Sequence, residues 1–184
     1  MNIFYVDSNA QVAAQSLVDR HVVKMILETT QLLSTAHRVL DGVETIEKQY
    51  SSGVIKPKLR NVRLYKLNDE RDGILYKATH INHPSSIWVR QSAANYNWLY
   101  QHLLALSDEY EFRYGKKHKC SSLYDALKNP PLNIPTGSFT QPTPAMDKSF
   151  IVSDDSVANY RNYYKNGKSH LFRWTKRNPP SWLE

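Results

Sequence analysis

One carboxylate set among cations is the feature of this sequence best suited to chemistry. His21, Lys24, Glu28, Gln31, Thr35 and Arg38 recur at steps of three and four, and at about 100° per residue they share one face of a helix. A carboxylate surrounded by cations stays ionised as a rule. Glu28 is thereby suited to act as a general base or to stabilise a cationic transition state, with His21 as its catalytic companion. The competing reading of the same stripe is a solvated helix face, which periodicity alone favours.

A second set of residues offers binding rather than catalysis. Residues 156–183 contain no acid, while Arg161, Lys165, Lys168, Arg173, Lys176 and Arg177 are interleaved with Tyr160, Tyr163, Tyr164, Phe172, Trp174 and Trp182. Cations for phosphate and flat rings for bases are the ingredients of nucleotide or single-strand recognition. The candidate phosphate contacts over the whole chain are Lys24, Arg38, His83, Arg90, Arg161, Lys165 and Lys168. Trp88, Tyr160 and Tyr164 are the candidate stacking rings. An aromatic core with a solubilising cationic rim weighs equally, because aromatics at helical spacing are usually buried.

Composition narrows the field. The 184 residues suit a single domain, and 24 Lys and Arg against 17 Asp and Glu leave a formal charge of +7, which suits an anionic partner. No apolar run approaches the length that crosses a bilayer, so no membrane partner is expected. The glycine fingerprints of Rossmann and P-loop nucleotide sites are missing, and no cofactor is expected. Zinc is poorly supported: there is one cysteine, Cys120, and His80-x-x-His83 lacks an evident third ligand. Cys120 also cannot form an internal disulfide, and Met1 to Tyr5 do not read as a secretory signal, so a reducing cytoplasm is expected.

The elements that must position these residues follow from pattern. Residues 2–7 read as a short extended segment, and Ser8 or Asn9 caps a helix over 10–16. Val18, Val22, Ile26, Thr29, Leu33, Ala36 and Leu40 form the core stripe of a long helix over 17–40. Residues 41–73 break into an excursion with a small hairpin through 54–67, followed by a short helix over 69–77. After Pro84 a helix capped by Ser85 or Ser86 runs over 86–106, continues to Tyr114 and stops at Gly115. A short helix near 122–128 precedes five prolines within 129–146, which demand a long loop. Asp154, Asp155 and Ser156 cap a last helix that meets Gly167, and a final turn is expected over 170–175. The expected architecture is a mainly α, single-domain helical bundle.

The run Leu17-Val18-Asp19-Arg20-His21, with Glu28 seven residues after the histidine, resembles the Leu-x-Asp-x-His-x6-Glu signature of the bacteriophage pyrimidine-dimer DNA glycosylases. His83 before a long helix, and Tyr160-Arg161-Asn162-Tyr163-Tyr164, are similar to later blocks of that family. The chain also resembles, over nearly its whole length, a group of phage proteins that open Met-Asn-Ile-Phe-Tyr and end in Trp-Thr-Lys-Arg-x-x-Pro-x-Trp. The glycosylase resemblance implies a helical fold inserted into duplex DNA, attack of the N-terminal α-amine on the sugar C1′, and assistance by a helix glutamate. By position Glu28 would be that glutamate and His21 a neighbouring phosphate or sugar contact. One departure is at Asn2: the family has a small second residue that permits removal of the first methionine, whereas Asn2 leaves Met1 to present its own amine.

Three readings remain open at this point. The first is a glycosylase-like enzyme on DNA, and the second a phage anti-defence protein that sequesters or cleaves a small nucleotide such as a cyclic dinucleotide or an ADP-ribose-type signal. The third is a non-catalytic DNA-binding module. Either enzyme would work in the cytoplasm of an infected bacterium, and the oligomeric state is left open.

Overall fold

The computed structural model describes residues 1–50 and 57–184, and the chain is mainly α. An extended N-terminal segment lies buried from Asn2 to Val6. It leads into α1 (Ala10–Ser16), whose first N–H groups are met by the Asn9 side chain, the cap expected from sequence. The long α2 (Asp19–Asp41) follows after two residues.

Helix α2 is buried over more of its circumference than a single apolar stripe requires. Val22, Ile26, Thr29, Leu33 and Ala36 are wholly buried as expected, but so are Thr30, Ser34 and Thr35. The Thr30 and Ser34 hydroxyls donate to the carbonyls of Ile26 and Thr30 one turn back, which lets these small polar residues enter the core at little penalty. The face from His21 to Arg38 is therefore not a solvated one. His21, Thr35 and Arg38 are buried, Glu28 and Gln31 half-buried, and Lys24 exposed.

The excursion holds an antiparallel ribbon, with β1 (Val43–Tyr50) paired to β2 (Leu59–Lys66) in the register Val43 to Lys66 and Tyr50 to Leu59. The hairpin thus begins eleven residues earlier than the expected 54–67. Residues 54–56 of that expectation lie outside the described residues. Regular alternation such as Thr45-Ile46-Glu47-Lys48 carries the strand signal, and the expected start missed it. At the root, Gly42 is required by crowding: a Cβ there would lie 2.4 Å from the Arg38 carbonyl oxygen.

The short helix expected over 69–77 contracts to one turn, α3 (Arg71–Ile74). The helix expected over 86–106 is two helices. α4 (Pro84–Val89) is capped by His83, whose Nδ1 accepts from Ser85 N–H, and α5 (Ala93–Tyr114) is capped by Ser92, whose hydroxyl accepts from Asn95 N–H. The serine cap is real but lies at Ser92, because Arg90 to Ser92 break the helical path. Helix α5 ends at Gly115 in the left-handed conformation (φ +66°), as a C-terminal glycine predicts.

A 3-10 turn (Lys119–Leu123) leads to α6 (Tyr124–Leu127), and residues 129–146 form no regular element. That loop is nevertheless fastened. Asn95 donates to the Thr140 hydroxyl and accepts from Thr140 N–H, Trp88 Nε1 donates to the Thr140 carbonyl, and Asp41 accepts from Leu132 and Asn133 N–H. The last helix, α7 (Ser156–Gly167), starts at the Asp155 cap, and the final turn is a 3-10 turn at Ser169–Leu171 rather than 170–175. Helices α1, α2 and α5 pack together around one hydrophobic cluster that also takes in Tyr160 and Tyr164 of α7. Among the described residues no helix is long and apolar enough to cross a membrane.

Candidate active site

The first four residues fold into a hook around the Asn2 side chain. Asn2 Oδ1 accepts from the N–H groups of Ile3 (2.8 Å) and Phe4 (3.1 Å), and its Nδ2 donates to the Ala145 carbonyl (2.9 Å). Asparagine is suited to such a local turn because its short amide reaches the backbone two residues on. The turn places Phe4 at φ +53°, a conformation that costs a bulky residue about 1–3 kcal/mol. Stacking of the Phe4 ring on His21 at 4.2 Å and a hydrogen bond from Val6 N–H to the Phe4 carbonyl hold it there.

The hook delivers the chain terminus to Glu28. Asn2 N–H donates to Glu28 Oε2 at 3.0 Å, and the Met1 α-amine lies 4.0 Å from the same oxygen. Lys24, one turn before on α2, approaches the other carboxylate oxygen at 3.1 Å. Two amines therefore flank one carboxylate, and they differ in environment. The Met1 side chain is 3% exposed, which fixes its amine in place, whereas Lys24 is 67% exposed. Burial holds the His83 imidazole below its ordinary range, and the charges of the Met1 ammonium and His80 act in the same sense against the opposing pull of Glu28. The charges of the amine and of Glu28 both reach His83, and the net shift favours its neutral form.

His21 occupies the next position along α2 but plays a different part. Its Nδ1 lies 2.6 Å from the Tyr164 hydroxyl, which itself accepts from Val18 N–H. Burial pushes the His21 pKa down to about 3, helped by the charges of Lys168, Lys24 and His170. A neutral ring between Phe4 and Tyr164 supports the hook and brings no positive charge to a phosphate.

The remaining candidates divide sharply. Glu28, Lys24 and His83 come together at the chain terminus, and Lys168 lines the groove beside His21 and Lys24 while its ammonium sits 4.8 Å above the Tyr163 ring. Arg38 is drawn inward: it is 4% exposed and donates to the carbonyls of Tyr65, Asp72, Leu75 and Tyr76 and to the Asp72 carboxylate. Arg90 is tied to the Ser86 hydroxyl and the Ile81 carbonyl. Arg161 binds the Val6 carbonyl and Asp7 and packs over Trp182, and Lys165 donates to the Glu184 carbonyl. None of these four points a free charge into the site. Trp88, Tyr160 and Tyr164 have relative exposures of 1%, 0% and 0%, so the expected stacking rings are core and present no face to a base.

Sequence reasoning missed the residues that build the frame. Asp19, which belongs to the quoted signature, accepts from Arg113, Thr175 N–H and the Thr175 hydroxyl, and so ties α2 to α5 and to the C-terminal segment. Burial tends to raise its pKa, but the Thr175 hydrogen bonds and Arg113 together hold it below the ordinary range. Asn2 was identifiable only as an obstacle to methionine removal. Its capping type was a usable signal, but its partners lie as far away as Ala145. Among the described residues no group of histidine, cysteine or acidic side chains is arranged to hold a metal ion.

Comparison with known proteins adds one match. The family model described as pyrimidine dimer DNA glycosylase covers residues 1–122, a span that includes the hook, α2, the ribbon and His83. No curated protein and no solved structure matches the chain.

Proposed function

The chain belongs to the pyrimidine dimer DNA glycosylase family, and from that premise we propose that it cleaves the glycosidic bond of a dimerised pyrimidine in DNA using the Met1 α-amine as nucleophile. The observation that carries this reading is the amine 4.0 Å from Glu28 Oε2 at the end of a rigid hook. Glu28 takes a proton from the ammonium and frees the nitrogen electron pair. That pair bonds to C1′ of the deoxyribose, the C1′–N bond to the base breaks, and its electrons leave with the base. Glu28 passes that proton to the departing base nitrogen, and the restored carboxylate faces the cationic, amine-bound sugar, where a fixed negative charge is most effective. Transfer of the second amine proton to O4′, which takes the electrons of the opening C1′–O4′ bond, yields a protonated imine. Lys24 and Lys168 border this position and suit the flanking phosphates.

The small-nucleotide alternative draws on the same cations but gains nothing from the family match. The test is borohydride reduction in the presence of duplex DNA carrying a pyrimidine dimer, followed by peptide mass analysis. The expected product is a covalent adduct on the peptide that starts with Met1. Glu28→Gln is expected to lower glycosidic-bond cleavage at least about 100-fold, the scale of a lost acid-base group, while leaving DNA binding measurable. An adduct on Lys24, or no cleavage of the glycosidic bond in dimer-containing DNA, overturns the reading.

A further inference from the structure

More than half of the formal net charge falls, in sequence, between residues 43 and 66. Residues 43–66 carry Lys48, Lys56, Lys58, Arg60, Arg63 and Lys66 against Glu44 and Glu47, a balance of +4 within a chain of +7. Both acids are matched inside the ribbon, Glu44 by Arg63 at 3.0 Å and Glu47 by Lys66 at 2.6 Å. Lys48 and Arg60 enter no ion pair among the described residues.

The two faces of the ribbon differ. Thr45, Glu47, Gln49, Val62 and Leu64 are half-buried and look back towards the body, where Lys77 and Ala78 lie opposite. Ile46, Lys48 and Tyr50 alternate with them on the outer face, across from Arg63, Asn61 and Leu59. All six of these outer residues are exposed, Tyr50 by 70% and Ile46 by 66%.

The root of the ribbon is joined to the site by a short run of chain and by α2. From Lys77 the chain runs along α2, with Thr79 N–H donating to the Thr35 hydroxyl, and reaches His83 at the amine. Arg38, which binds the ribbon root, and Glu28 are ten residues apart on α2, about 15 Å along the axis. That distance is about four to five base pairs of duplex.

We propose that the outer face of the ribbon, with its end away from the root, is a second DNA-binding surface, which grips the duplex a few base pairs from the reacting nucleotide. Lys48 and Arg63 on the outer face, and Arg60, which is exposed on the opposite face across from Gln49 near the end away from the root, meet phosphates, and Tyr50 with Leu59 lies against the sugar edge. A two-stranded ribbon has the width to enter a major groove, and its contacts are independent of sequence. The proposal rests on DNA being the partner, as in the reading above.

The test is the salt dependence of binding to an undamaged duplex, measured by fluorescence anisotropy from 50 to 300 mM salt. Each lost phosphate contact lowers the slope of log K against log salt by about 0.9. Lys48→Ala/Arg60→Ala is therefore expected to lower it by about 1.8 and to weaken binding at least roughly tenfold at 0.1 M. Tyr50→Ala weakens binding with the slope kept. Lys119→Ala/Lys128→Ala removes equal charge from exposed positions elsewhere and keeps the wild-type slope. An unchanged slope in the ribbon variant, or an equal fall in the control, overturns the ribbon assignment and leaves DNA as partner. A wild-type protein that binds no duplex at any salt removes the DNA reading itself and this proposal with it.

Discussion

In the C-terminal segment, six cations between residues 156 and 183 have no acid in their own stretch of chain, yet the fold brings acids to three of them from far away. Asp7 meets Arg161 at 3.0 Å, Asp19 meets Arg173 at 3.5 Å, and Glu109 meets Arg177 at 2.8 Å. Lys176 donates to the Phe112 carbonyl and Lys168 covers a tyrosine ring. The ribbon has the opposite arrangement. It supplies its own two acids, and Lys48 and Arg60 enter no ion pair among the described residues. A run of cations in sequence is thus a poor guide to surface charge, because the neutralising acids arrive through tertiary contacts. The segment that looked most like a nucleic-acid surface works as a clasp, and the excursion between helices carries the charge outward.

That contrast can be broken first at the clasp. The Arg113 side chain is 0% exposed, pairs with Asp19 at 2.9 Å and Glu109 at 2.6 Å, and donates to the carbonyls of Leu17 and Gln15. Arg113→Ala leaves Glu109 buried with only Arg177, a loss of about 3–5 kcal/mol. Thermal denaturation should show a fall of roughly 10 °C for a chain of this size. A fall below about 2 °C would mean that the clasp is ornamental.

Acid should loosen the body more than the ribbon. Burial lowers the pKa of His21 to about 3 and of His37 and His102 to about 4, so each is neutral when folded and takes up a proton on unfolding below about 6.5. Stability is therefore full above that pH and declines as pH falls towards 4, by up to about 1.4 kcal/mol per pH unit for each histidine. Urea midpoints across pH 7 to 4 check this. The ribbon, which contains no histidine, should keep its hydrogen-exchange pattern through that window.

A smaller effect separates the two cationic regions directly. Arg177→Ala breaks a pair whose arginine is 33% exposed and is expected to lower stability by about 1 kcal/mol with the DNA salt slope unchanged. Lys48→Ala/Arg60→Ala should move stability by no more than about 0.5 kcal/mol while the slope falls. If both variants give the same pair of readings, the distinction between clasp and ribbon fails.

How much of this was legible in the sequence depended on range. The Asn9 cap, the stripe of α2 and the Gly115 stop were legible because local chemistry decides them. Glu28 stood out as the lone acid on its face, and the structure places it beside the amine. The break at Ser92 was hidden because the residues around it continue an amphipathic pattern across the gap. Trp88, Tyr160 and Tyr164 were ambiguous, since helical spacing fixes which rings share a face and not whether that face meets water. Arg38 misled for a related reason: its partners are backbone carbonyls of residues 65–76, and a carbonyl has no sequence signature.

Those carbonyls give Arg38 a meaning for how such a chain can vary. Gly42 leaves α2 against the Arg38 carbonyl, Tyr65 returns to the Arg38 guanidinium, and Asp72 takes both Arg38 and Leu67 N–H. Departure and return are thereby fixed at one guanidinium, independent of what lies between them. Closing a longer or shorter loop between fixed ends changes the free energy by only about 0.6 kcal/mol for each doubling of length. The ribbon is in this sense an interchangeable cassette, held by a socket that belongs to the helix, and reach along a partner can diversify without disturbing the hook that holds the amine.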